Sequence, residues 1–117
     1  MSMQSEFVSL VGPLVGGRVF PGGAPAGTIA PYVIYSRVNA VENNTLEVNG
    51  GLGNIKNTRL QCDVYALMYA DAIGIADKVK TALKTWALQN TLQDEQDFYE
   101  FDTRLHRVML DFSVWHN

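Results

Sequence analysis

The sequence predicts an α+β domain, with two helices packed on one face of a mainly antiparallel sheet of about four to five strands, and three patterns in its 117 residues predict it. Near the C-terminus, Val108, Leu110, Phe112 and Val114 alternate with Arg107, Met109, Asp111 and Ser113, which reads as a half-buried strand of about eleven residues. From Thr58 to Tyr65 the alternation recurs, with Leu60, Cys62 and Val64 on one side and Arg59, Gln61, Asp63 and Tyr65 on the other. Between these two, Ala72, Ile75, Ala76, Val79, Leu83 and Trp86 repeat at helical spacing, with Asp71 early and Lys78, Lys80 and Lys84 late, as the helix dipole favours.

The remaining elements follow in chain order. Phe7, Leu10, Val11 and Leu14 fall at i, i+3, i+4 and i+7 and predict a first helix over about residues 4 to 15. Six glycines and four prolines between Gly12 and Pro31 break it, leaving an ordered loop with a short extended piece at Arg18 to Phe20. Tyr32 to Asn39, β-branched and aromatic after a proline, reads as a strand. The stretch from Val41 to Asn57, with Asn43, Asn44, Asn49, Gly50, Gly51, Gly53 and Asn54, reads as a long mobile hairpin around an extended segment at Thr45 to Val48. The second helix is expected over about Ala70 to Trp86. Leu88 to Asp94 could add a short strand, and Glu95 to Thr103 reads as a polar connection in which Phe98, Tyr99 and Phe101 are set. Sequence patterning leaves the strand order open.

A chain of this length fits one domain, residues 1 to 117, and its size allows a layered core without metals or disulfides. With 47% hydrophobic and 18% charged residues it is too apolar for a disordered tail. A net charge of −3 argues against non-specific nucleic-acid binding, which rests on Lys and Arg displacing counterions. The single cysteine, Cys62, excludes an intramolecular disulfide and a cysteine-based metal cluster. No signal peptide or apolar run of about 20 residues is present, so a soluble protein folding in a reducing cytoplasm, without membrane contact, is expected.

Catalysis needs a nucleophile, a base and a stabiliser brought together, and the inventory for that is thin. His106 and His116 lie ten residues apart on one strand, about 33 Å if extended, too far to share a metal. Asp111, Ser113 and His116 suggest a triad, yet His116 has the opposite strand parity. Cys62 sits among apolar residues, where a thiol packs as a small hydrophobe. Gly12 to Arg18 lacks the ending of a phosphate loop and follows a helix rather than a strand. Asp94, Glu95, Asp97, Glu100 and Asp102 lack calcium-loop spacing and read as a solvated turn or a charged subunit contact. No catalytic residue, cofactor or metal is therefore expected. Features that suit a binding surface are clearer: Met109 and Trp115 on the strand face opposite the apolar row, Arg107 and Asp111 beside them, Asp97 and Glu100 in the acidic connection, and Asn49, Gly50 and Gly51 in the long arm.

Several stretches, in order, resemble the small tail-completion or tail-terminator proteins of long-tailed phages and prophages. They are Leu14-Val15-Gly16-Gly17-Arg18-Val19-Phe20-Pro21, Pro31-Tyr32-Val33-Ile34-Tyr35, Leu60-Gln61-Cys62-Asp63-Val64-Tyr65-Ala66, Tyr69-Ala70-Asp71-Ala72, Asp97-Phe98-Tyr99-Glu100, and Leu105 to His116. Each alone is a common strand or turn pattern; their order and spacing carry the resemblance, and Leu88 to Asp94 departs from it. The resemblance implies a structural protein whose copies form a ring, commonly of six, at the head-proximal end of the tail tube. Its expected partners are further copies of itself, the tail tube protein and a head-completion or neck protein. Its expected places are the virion tail and, during assembly, the host cytoplasm. A head-completion or neck connector subunit is the nearest alternative, and a small-ligand-binding or enzymatic α+β domain is a more distant one.

Overall fold

The computed structural model describes residues 2–42 and 56–116, and of residues 39–42 the backbone alone. Helix α1 (Met3–Val11) is capped by Ser2, whose hydroxyl accepts from the Ser5 amide at 3.1 Å. Gly12–Val15 continues it as a tighter 3-10 turn, because Pro13 has no amide to donate and its ring crowds the preceding turn. Gly16 ends that turn at φ 61, a left-handed conformation that a Cβ would strain. The buried stripe is Met3, Phe7, Val11 and Val15, one residue every fourth position; Leu10 and Leu14, expected on that face, flank it half-buried.

Among the described residues five strands follow: β1 (Val19–Pro21), β2 (Tyr32–Glu42), β3 (Lys56–Ala66), β4 (Asn90–Glu100) and β5 (Leu105–His116), with α2 (Tyr69–Lys84) between β3 and β4. Their order in the sheet is β1-β2-β3-β5-β4, antiparallel except for the parallel β1-β2 pair. The fold is therefore α+β, and the alternation in β3 and β5 sorts as expected. Leu60, Cys62 and Val64 lie beside Phe112, Leu110 and Val108 in register, all facing the helices. Ala72, Ala76, Val79 and Leu83 of α2 close over them, and Phe7 joins α1 to the sheet through Tyr35, with ring centres 5.4 Å apart.

Two expectations need correction. Glu95 to Thr103 is not a polar connection or turn: β4 runs through Glu100, and the turn is confined to residues 101–104, closed by the Arg104 amide donating to the Glu100 carbonyl at 2.7 Å. Likewise the short strand expected from Leu88 to Asp94 begins at Asn90 and is only the first part of β4. The physical reason is that β4 lies at the sheet edge with both faces exposed from Thr91 to Tyr99, so its side chains carry no alternation. Backbone pairing to β5 holds it there, with a bulge between Leu92 and Asp94. Of the long hairpin expected from Val41 to Asn57, the ends pair as the last residues of β2 and the first of β3, and residues 43–55, with Asn49, Gly50 and Gly51, lie outside the described residues.

Cys62 is fully buried, and loss of hydration, aided by the charge of Asp63, pushes its thiol well above the usual range. A disulfide-exchange reagent such as dithionitrobenzoate is expected to modify it only as fast as the protein unfolds, with a rate that climbs with urea in step with the unfolding rate. Rapid modification in native buffer would contradict this placement.

Candidate functional site

The helices leave two surfaces uncovered: the outer face of the sheet and the β4 edge with its turn. On the outer face, charges are matched within the chain. Arg59 donates through Nε and Nη2 to both carboxylate oxygens of Asp111, the first at 3.2 Å. Arg107 Nε donates to Asp63 Oδ1 at 2.9 Å, while Gln61 Nε2 donates to Asp63 Oδ2, also at 2.9 Å. The Arg107 guanidinium lies 4.8 Å from the centre of the Phe98 ring and 3.9 Å from a Glu100 oxygen. Burial opposes the Arg107 charge, but the hydrogen bond and charge of Asp63 outweigh it, and the net shift of its pKa is upward. Asp63, at 5% exposure, is buried although no helix covers it, because Ile34 and Met109 flank it in register.

Of the residues singled out in the sequence, this face gathers Arg107, Met109, Asp111 and Trp115 on β5, with Glu100 joining them across the β4-β5 pair. Met109 and Trp115 are half-buried rather than fully exposed. Asp97 faces the other way, toward α2, and accepts a hydrogen bond from the Tyr69 hydroxyl at 2.6 Å. That bond and the Asp97 charge raise the Tyr69 pKa.

The suspected triad is not brought together. Asp111 is held by Arg59, Ser113 Oγ accepts from Asn57 Nδ2 at 2.6 Å, and His116 Nε2 shares a 2.6 Å hydrogen bond with Thr58 Oγ1 on the helix side. His106 packs between two tyrosine rings, 5.7 Å from Tyr69 and 4.9 Å from Tyr99. Among the described residues no group of three or more His, Cys, Asp or Glu side chains could hold a metal ion, and no helix is long and apolar enough to cross a membrane.

The second surface was read only in part from patterning, which singled out Asp97 and Glu100 there but not the aromatic residues beside them. Around the β4-β5 turn, Tyr99 and Phe101 meet edge to face at 5.0 Å, and Phe101 is 83% exposed. Tyr69, the first residue of α2, is exposed and joins them through His106, and Leu67 and Met68 just before it are exposed as well. The signal in the sequence was the set Phe98, Tyr99 and Phe101 inside an acidic run, which belongs neither in a core nor in an ordinary solvated turn.

Among the described residues this geometry offers contact surface and no convergent reactive groups. A chain in the virion of a native gene transfer agent particle shares the fold, with a TM-score of 0.73 across 97% of this chain and 93% of that one, at 17% sequence identity. No curated protein matches the chain. The family described as tail completion protein gp17 matches residues 8–117. With that match covering the end of α1, all of α2 and all five described strands, the chain belongs to the tail completion protein gp17 family, structural proteins of bacteriophage tails.

Proposed function

We propose that the protein is a tail terminator: copies join head to tail into a ring, with six as the expected number, that caps the head-proximal end of a phage tail tube. The ring stops tube growth and presents the surface on which the head is joined. Its neighbours are then further copies, the tail tube protein and a head-completion protein; it resides in the virion tail after assembly in the host cytoplasm. The observation that carries this reading is β4, an eleven-residue edge strand exposed on both faces and ending in an exposed aromatic turn. Long uncovered edges invite pairing, and proteins that stay single shorten or cover them. A head-to-tail contact that closes by rotation yields a ring, and a ring can cap a tube of matching symmetry.

Purified protein at high concentration, examined by light scattering and electron microscopy alongside isolated tails, is expected to show rings in solution or one ring at the head-proximal tail end. Strictly monomeric protein that is also missing from that tail end would overturn the reading.

A further inference from the structure

We infer that neighbouring copies meet edge to edge, the β4 edge of one against the outer edge of β2 in the next, with Asp97 of one copy facing Arg37 of the other. The inference rests on the ring reading above and adds which surfaces form the contact.

Three observations lead there. First, β4 carries Asp94, Glu95, Asp97 and Glu100 and no Lys or Arg. Glu95 is paired with Lys80 at 3.0 Å, Glu100 lies near Arg107 and Asp94 sits on the outer face opposite Asp111, where its charge acts on Arg59, whereas Asp97 has no cation within ion-pair distance among the described residues. Charges on an edge strand ordinarily keep other strands away. This edge, however, also exposes Leu92, Phe98 and Tyr99, which a purely repelling edge has no use for. Second, the charge excludes β4 pairing with its own copy, since that would set two rows of carboxylates opposite each other. The occupant must be a different surface with positive charge, which makes the contact heterologous.

Third, the opposite border of the same sheet has the matching chemistry. β1 covers β2 only from Val33 to Tyr35, so from Ser36 onward the outer edge of β2 has no strand partner among the described residues. Arg37 and Val38 sit there, both exposed, Val38 at 60%. Arg37 has no carboxylate within ion-pair distance among the described residues, unlike Arg59 and Arg107. Arg37 lies opposite Leu60 and Asp97 opposite Val108, both core-facing residues, so the two charges project from the same side of the sheet. Copies related by rotation can therefore bring them together without flipping the sheet.

The test uses the full chain with buried Cys62 in place and three variants, Arg37→Cys, Asp97→Cys and the two combined. Assembled rings, or isolated tails carrying the protein, are treated with a bis-maleimide cross-linker and run on a denaturing gel. The combined variant should give a ladder of covalent oligomers, and each single variant should stay monomeric. Dimers from Asp97→Cys alone would mean that β4 meets β4 and would overturn the inference. Rings that assemble but give no ladder would overturn the edge contact and leave the ring reading standing, whereas the absence of rings in solution and on tails would sink both. Charge reversal adds a second readout: Arg37→Glu and Asp97→Lys should each weaken self-association about tenfold, and combining them should restore it. No recovery in the combined variant would also count against the contact.

Discussion

Phe7→Ala is expected to destabilise the fold by about 3–5 kcal/mol, a large share of the roughly 5–15 kcal/mol that holds a domain of this size. A nine-residue helix has little stability alone, so α1 exists because its stripe is docked. Phe7 is the largest side chain of that stripe and is fully buried, with its ring 5.4 Å from Tyr35 and 6.4 Å from Trp86. Truncation would leave a cavity where α1, β2 and the end of α2 meet. It would also loosen the placement of Glu6, which accepts a hydrogen bond from the Trp86 indole at 3.3 Å. Urea denaturation should show a lower midpoint with an unchanged slope, and Phe7→Leu, which keeps most of the volume, should cost less. A loss below about 1 kcal/mol would mean that α1 is not part of the cooperative core.

Asp63→Ala should cost about 2–4 kcal/mol through a different mechanism. Removing the carboxylate strands the Arg107 guanidinium and deprives Gln61 of its acceptor. Arg107 keeps partial contact with water, 24% of its side chain being exposed, as well as its contacts with Glu100 and Phe98, which holds the cost below that of a fully buried orphaned charge. The double variant Asp63→Ala with Arg107→Met should therefore lose less than the sum of the single losses, a coupling measurable by a double-mutant cycle in urea. Additive losses would show that the pair is not coupled.

These two residues also mark what patterning along the chain could and could not disclose. Phe7 was legible as a core position because helical spacing reports burial. Leu60, Cys62, Val64 and the even positions of β5 were legible because strand alternation does the same. Asp63 and Arg107 were both seen on the polar sides of their strands, but their pairing was not, because register between strands 44 residues apart is set by tertiary structure. β4 was misread for a related reason: a strand exposed on both faces has no burial pattern, so its acidic residues resembled a solvated connection. Asp97 and Glu100 were thus singled out as candidate contact groups within a turn, and the structure places them on opposite faces of one strand. The aromatic turn at Phe101 was visible as composition; its exposure depends on the neighbouring elements that do not cover it.

The proposed role, ending the tail and readying it for the head, is best checked by electron microscopy of particles from a phage in which this coding sequence is deleted. Tails of uncontrolled length, or finished tails that fail to join otherwise complete heads, are the expected result, with complementation by the intact chain. Normal tails joined to heads would contradict it, and normal tails accompanied by defective heads would assign the protein to the head-completion side of the joint.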